Sequence, residues 1–415
     1  MKLGGQLARS SVQTSAMLGL RLLTQATLLI LLTRLLGPAR YGDFAAVSSL
    51  AVVLGLLPPL GAGFVMLSHK ARDEAVAGEV WRYAWPLSLL LGLTLGLIYM
   101  LLARSLVQPS LPMAVLLAIA GTELLATPFC TLCSFALQAD ERVPLSQFVQ
   151  WLPVGLRILA ALPCFAFAMD GRLLVYTSLQ CVAALVGALI GLAIVASQVR
   201  LFWTPRLPTR RELTMGSSYA AMNLVAVNPS ELDKIIAIRA VGPHAAGIYA
   251  ATARVMVSAV TPVTALLLSA QPRLFRHAHQ PTRTGHRLIG LIALCALGWG
   301  LFSGLLMGAC SPLLPWLFGK SFEAMAGLMP WLATVAPLLA LRLCAGTVLV
   351  ALGHPLERIA FELCGILVLV VAMLGLAPAW GTHGLAMALI LAEACMSGLG
   401  WWLVWRRLRS GAAAL

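Results

Sequence analysis

The sequence predicts an all-α membrane protein of twelve transmembrane helices, arranged as two six-helix lobes related by a pseudo-twofold axis along the membrane normal. Three observations carry this expectation. Hydrophobic residues make up 60% of the chain and charged residues 11%, with a mean hydropathy of +0.90, a balance that suits lipid rather than water as the solvent. The apolar runs are each about 20 to 25 residues long, enough at 1.5 Å per residue to cross a hydrocarbon core of roughly 30 Å as helices. The third is a duplication. Arg34-Leu-Leu-Gly37-Pro38-Ala-Arg40-Tyr41-Gly42-Asp43-Phe44-Ala45-Ala46 returns 205 residues later as Arg239-Ala-Val-Gly242-Pro243-His-Ala-Ala-Gly247-Ile-Tyr249-Ala250-Ala251, an offset close to half of the 415 residues. In membrane transporters such repeats flank a substrate path.

Taken in order, the apolar runs place spans at residues 15–36, 44–68, 84–103, 113–138, 148–169 and 173–196, and again at 215–239, 245–271, 288–310, 324–349, 359–377 and 384–405. Polar connectors bound each run. The longest are 197–214 and 272–287, both too short for a soluble catalytic domain. The repeat divides the chain into lobes 1–205 and 206–415, with the mid-chain connector between them. Six spans per half bring both halves in from the same side, hence the axis along the membrane normal. Residues 1–12 are polar and lack an apolar signal core, so no cleaved signal peptide is expected.

Net charge is +14, and position decides what it means. Loops on one side collect 18 Lys and Arg, among them Arg82, Arg142, Arg200, Arg206, Arg210, Arg211, Arg358, Arg406, Arg407 and Arg409; the other side has 7, including Arg34, Arg40 and Arg172. This bias puts both termini in the cytoplasm and makes the basic residues topology signals rather than a nucleic-acid surface. The nine cysteines all fall in apolar runs, where free Cys packs as a small hydrophobe, and Cys130-Thr-Leu-Cys133 has no basic neighbour that would activate it. His277, His279 and His286 sit among arginines in a solvated loop, so no metal site is expected.

Four cations remain inside the membrane: Arg21, Arg157, Arg254 and Arg342. At about 2.5 to 3.5 kcal/mol each, four such residues cost on the order of 10 kcal/mol unless they face water or an anion. A guanidinium stays ionised and forks onto phosphate, which suits it to an anionic headgroup. Arg21 shares a helix face with Thr24 and Gln25, and Arg254 is followed one turn on by Ser258, so these two are expected to face the central path. For Arg157 and Arg342 two readings stand side by side: substrate ligand, or partner of the intramembrane acids Glu123, Glu362 and Glu393. Asn223 and Asn228 are expected to look inward, because an unpartnered amide in lipid is costly. Glu231 and Asp233 lie near the outer end of the seventh span, an interfacial position. Proline supplies a separate pointer: Pro58-Pro59 in the second span and Pro262 in the eighth occupy nearly the same repeat position, as matched hinges would.

The motifs Arg34 to Phe44, Asp233-Lys-Ile-Ile through Gly247-Ile-Tyr249 to Arg254, and Leu317-Phe318-Gly319-Lys-Ser-Phe-Glu-Ala resemble the polysaccharide-repeat flippases of the multidrug, oligosaccharidyl-lipid and polysaccharide exporter superfamily. Such proteins have two six-helix lobes around a cationic cavity. The resemblance implies translocation of undecaprenyl-diphosphate-linked oligosaccharide from the cytoplasmic to the periplasmic leaflet of a bacterial inner membrane, by alternating access. It places Arg21 and Arg254 where the family puts cavity cations, and implies polymerase and chain-length proteins of the same pathway as partners. No cofactor is expected beyond an exchanged proton or sodium ion, for which Glu123, Asp233 and Glu393 are the candidate acids. Twelve spans set the chain apart from the lipid II flippases with their two extra carboxyl-terminal helices. A cation-coupled drug antiporter is the main alternative, although acids rather than arginines would be expected to dominate its cavity. Gly319-Lys320-Ser321 lacks the upstream glycine and strand of a phosphate loop, which excludes an ATP-driven reading.

Overall fold

The computed structural model describes residues 2–70, 76–107, 110–227, 229–278 and 283–412; Asn228 and His279, both singled out in the sequence, lie outside them. The chain forms two compact units, Met1–Val227 and Asn228–Leu415. Among the described residues there is no strand. Helices dominate because in lipid each backbone N–H and C=O needs a partner within its own segment.

The first unit opens with α1 (Lys2–Gly55), which is interrupted at Gly37 (φ 69°, ψ 173°). A turn over 56–61 separates it from α2 (Ala62–Lys70). Then come α3 (Val76–Leu102), α4 (Met113–Ala120), a π-helical segment (Gly121–Ala126) and α5 (Thr127–Ala139), the last three forming one continuous span. The unit closes with α6 (Val143–Ala161), α7 (Met169–Gln198) and α8 (Arg210–Val227). Met66, Trp81, Leu132, Leu137, Val149 and Val195 build a core shared by α2, α3, α5, α6 and α7. Small residues set the spacing: a Cβ on Gly92 would stand 2.4 Å from the Leu124 carbonyl oxygen, and one on Gly191 would stand 2.9 Å from Val149.

The second unit consists of α9 (Pro229–Ala278), α10 (Arg283–Ala309), the short α11 (Leu314–Phe318), α12 (Ala324–Ala333), α13 (Val335–Ala351) and α14 (Pro355–Ala412). Interruptions occur at Gly242 (φ 79°, ψ 168°) in α9 and at Gly381 (φ 58°, ψ −132°) in α14. Gly37 and Gly242 are the paired glycines of the repeat, each followed by proline, and they share one backbone conformation. That region of φ/ψ is open to glycine and costs other residues about 1–3 kcal/mol.

These interruptions correct the expected loops between spans 1 and 2, 7 and 8, and 11 and 12. A single non-helical glycine takes the place of each connector. Among the described residues, eight helices are long and apolar enough to cross a membrane, or nine with the pair α12 and α13 bent by 40° taken as one span. Two of the long helices demonstrably fold back. In α9, Arg254 Nη1 lies 3.4 Å from Glu231 Oε1, although 23 helical residues rise about 34 Å. In α14, Arg406 Nη2 lies 3.2 Å from Glu357 Oε1, and Arg407 pairs with the same carboxylate.

Polar contacts also join segments that the charge bias assigns to one side. Arg82 Nε donates to the Thr204 carbonyl at 2.9 Å, Arg142 bonds Gln198, Arg40 pairs with Asp170 at 3.5 Å, and Arg172 Nη1 donates to the Leu35 carbonyl at 3.2 Å. That last bond caps the helix end just before Gly37.

By its contacts the chain divides after Val227, and the mid-chain connector is anchored to the first unit. Arg206 pairs with Glu212 at 2.6 Å, reaches Glu79 at 3.5 Å and stacks over Tyr83. Thr209 and Glu212 form a reciprocal capping box: Thr209 N donates to Glu212 Oε2 at 2.8 Å, and Glu212 N donates to Thr209 Oγ1 at 3.3 Å. Burial opposes the charge on Glu212, yet the bonds from Arg206 and Thr209 outweigh it and hold the carboxyl below its ordinary value of 4.5. A depressed carboxyl stabilises the fold fully above its unfolded value and loses that contribution as pH falls through the folded one. The unfolding midpoint of the detergent-solubilised protein should therefore exceed that of Glu212→Gln at neutral pH, with the gap closing below pH 4.5. A gap independent of pH contradicts this assignment.

Candidate functional site

In the first unit the membrane-embedded cations take different roles. Arg21, half-buried on α1, donates from Nη1 to Gln150 Oε1 on α6 at 3.0 Å, and Gln150 Nε2 donates in turn to Ser134 Oγ on α5 at 2.7 Å. Trp151 Nε1 donates to Thr24 Oγ1 at 2.9 Å, so Thr24 closes the seam between α1 and α6 one turn beyond Arg21. Among the described residues no carboxylate pairs with Arg21. Gln25 is exposed.

Arg157 on α6 is committed differently. Its Nη2 lies 2.9 Å from Glu123 Oε1 and 3.4 Å from Thr127 Oγ1. Glu123 stands in the π-helical segment 121–126. Pro128 follows and has no N–H for the Leu124 carbonyl, which favours a local change in winding. The same stretch lines a cavity of about 150 Å3 with Thr127, Thr131 and Asn223, beside Pro59 and Gly61. Asn223 therefore lines a cavity inside its own unit whose walls are mostly apolar. Pro58 and Pro59 do sit in a break: residues 56–61 are non-helical, with positive φ at Leu60 and Gly61.

Pro262 differs. The helix runs through it without interruption, so the matched pair of hinges reduces to one break, in the first unit. The physical reason lies in the flanks. Pro58-Pro59 removes two consecutive backbone donors beside Gly55, Gly61 and Gly63, whereas Pro262 removes a single donor in a stretch without nearby glycine.

In the second unit Glu231, Asp233 and Lys234 on one arm of α9 gather with Arg254 on the other, the arms being folded back on each other at Gly242. Lys234 Nζ lies 3.1 Å from Glu231 Oε2 and 3.6 Å from Asp233 Oδ1, and Tyr249 Oη donates to Asp233 Oδ2 at 3.0 Å. Asp233 is 2% exposed, because the fold-back buries it against Tyr249. Arg254 touches Glu231, but its side chain remains 51% exposed. Ser258 is turned back onto the Arg254 carbonyl at 2.8 Å and offers its hydroxyl to its own helix. A water-sized cavity of about 30 Å3 is lined by Glu231, Asp233, Arg254 and Glu393. Each of the three candidate coupling acids thus lines a cavity, Glu123 in one unit and Asp233 with Glu393 in the other.

Arg342 is the clearest correction. It is 2% exposed, and its Nε lies 2.9 Å from Glu393 Oε2, itself 3% exposed, in an oblique ionic contact. A guanidinium so enclosed and neutralised is not placed to receive a substrate phosphate. Arg157 is likewise neutralised, by Glu123, but at 17% exposure it keeps an open side. Sequence reasoning missed Gln150, Trp151 and Thr127 as partners of these arginines. Gln150 and Arg157 are seven residues apart, on one face of α6, and that polar face was the available signal.

The model of a family described as polysaccharide biosynthesis protein matches residues 7–277 of this chain. Among solved structures, an inward-facing multidrug resistance MATE family transporter of the MOP superfamily is similar at a TM-score of 0.78 and 14% identity, covering 95% of this chain and 96% of that one. The lipid II flippase MurJ in an inward closed conformation is similar at a TM-score of 0.72 and 11% identity, covering 95% and 87%. A MATE protein in complex with MaL6 follows at 0.68 and 16%, covering 97% of each chain. At these identities the likeness shows a shared fold. No curated protein matches the sequence.

Proposed function

Since the chain belongs to the polysaccharide biosynthesis protein family, we propose that it moves undecaprenyl-diphosphate-linked oligosaccharide repeat units from the cytoplasmic to the periplasmic leaflet by alternating access. The observation that carries this reading is the pair Arg21 and Arg254: one has no carboxylate partner among the described residues, and the other is half exposed. A membrane-embedded guanidinium held open in this way suits a phosphate group, which accepts its paired hydrogen bonds while the sugar and prenyl chain extend from the diphosphate. An inside-negative potential favours the movement, by roughly 2.3 kcal/mol per charge per 100 mV. Buried carboxylates lining cavities, Glu123, Asp233 and Glu393, serve ion coupling, with a proton or sodium ion as the exchanged species. Polymerase and chain-length proteins of the same pathway take up the product. The test is deletion of the gene. Lipid-linked repeat units should then be trapped on the cytoplasmic face and released on complementation with the wild-type chain; unchanged sidedness in the deletion strain rejects the reading.

A further inference from the structure

We infer that the last turns of α14 form a headgroup site for an anionic phospholipid, in which Arg406 and Arg409 take the phosphate while Trp402 and Trp405 fix their guanidinium groups. Such a site does not depend on what the protein transports. Trp402, Trp405, Arg406 and Arg409 fall at i, i+3, i+4 and i+7 and so share one helix face. Each arginine lies over the indole one turn before it: Arg406 Cζ is 5.1 Å from the Trp402 ring centroid, and Arg409 Cζ is 3.8 Å from that of Trp405. The two indoles are half exposed, at 51% and 50%. The opposite face of the helix is packed, with Trp401 Nε1 donating to the Leu341 carbonyl at 3.1 Å and Val404 buried.

The protein leaves the donors of this face unspent. Arg406 and Arg407 share one oxygen of Glu357, at the start of α14, and Arg409 pairs with no carboxylate among the described residues. Positive charge is therefore in excess here. Other stacked arginines differ: Arg206 over Tyr83 gives its donors to Glu212, and Arg172 over Phe165 gives its own to the carbonyls of Leu35, Phe165 and Phe167. A guanidinium lying on an indole is held by the negative face of the ring and keeps its N–H edge free, the edge that forks onto phosphate. Membrane topology asks only for positive charge at this end of the helix. It does not ask for indoles beneath the guanidinium groups on a face turned away from the protein.

What adjoins the face favours a lipid over a protein partner. Toward the middle of α14 the exposed side continues through Gly398, Ala394 and Leu391, and a Cβ on Gly398 would meet nothing within 4 Å. From Leu391 to Trp402 this apolar strip rises about 16 Å, close to half of a hydrocarbon core of roughly 30 Å. An acyl chain can lie along it. The glycerol then stands beside the indoles, at the level where tryptophan concentrates in membranes, and the phosphate reaches the two arginines.

The test uses the full chain in detergent micelles, titrated with phosphatidylglycerol or with phosphatidylcholine of identical acyl chains, and native mass spectrometry to count retained lipid. Wild type should retain phosphatidylglycerol in preference. Arg409→Ala should lower that affinity about fivefold, and Arg406→Ala with Arg409→Ala about 25-fold, the loss of one and two charges near an anionic headgroup. Trp405→Leu keeps every charge and should still weaken binding about threefold, through loss of the stack. A photoreactive phosphatidylglycerol with its diazirine beside the glycerol reports on wild type alone, which keeps the test decisive should a variant fold poorly. Its cross-links should map between Gly398 and Arg409 and be competed by phosphatidylglycerol but not by phosphatidylcholine. Equal retention of the two lipids, cross-links elsewhere, or binding unchanged in Arg409→Ala or in Trp405→Leu overturns the inference. Glycerol phosphate held as tightly as the whole lipid would show a bare anion site and overturns it too.

Discussion

Arg342→Ala is expected to destabilise the protein by about 3–5 kcal/mol, the cost of stranding a buried carboxylate. Arg342 and Glu393 shield each other at 2.9 Å, and removing the guanidinium leaves Glu393 charged in a site where Glu362 also lies buried. Glu362 has Arg358 at 3.2 Å, so the deficit falls on Glu393. The detergent-solubilised variant should unfold at markedly lower temperature or denaturant concentration, and its abundance in the membrane should drop. Replacing both partners, as Arg342→Met with Glu393→Leu, should recover most of the loss, because apolar side chains of similar volume need no counter-charge. A stable Arg342→Ala protein that has lost transport would instead return Arg342 to the substrate path.

The second large effect is on transport. Arg21→Ala and Arg254→Ala should fold, since Arg21 gives up a hydrogen bond to Gln150 and Arg254 leaves Glu231 still paired with Lys234 at 3.1 Å. Each should lower the rate at which trapped lipid-linked repeats reach the periplasmic face by about 10- to 100-fold, corresponding to about 1.5–3 kcal/mol for a charge-assisted bond to phosphate. Lysine at either position should recover part of the rate, since it restores the charge without the planar fork. Full rescue of the deletion strain by both alanine variants would remove these residues as phosphate ligands.

The periodic features were legible in the sequence. Apolar runs of membrane-spanning length gave the helices, and the repeated Gly-Pro pair at 37 and 242 proved to share one backbone conformation. What a chain pattern does not specify is which side chain meets which across helices. Arg157 and Glu123 are 34 residues apart, and Arg342 and Glu393 are 51 apart; their pairing depends on helix rotation and depth, which composition leaves free. Proline alone misled at Pro262, because a break needs neighbours that cannot rebuild the lost hydrogen bond. The start of α8 was written in Thr209-Arg-Arg-Glu212, a capping pattern, whereas the anchoring of the connector through Arg206 to Glu79 depends on a contact 127 residues apart that no local pattern specifies.

The most direct measurement places undecaprenyl-diphosphate-linked oligosaccharide in one leaflet of vesicles containing the purified chain and follows its exposure to a membrane-impermeant lectin on the other side. Wild type should move the lipid-linked sugar across, and the Arg21→Ala, Arg254→Ala double variant should do so far more slowly. If the sugar stays in its original leaflet with wild-type protein, as it does in protein-free vesicles, the translocation account is wrong.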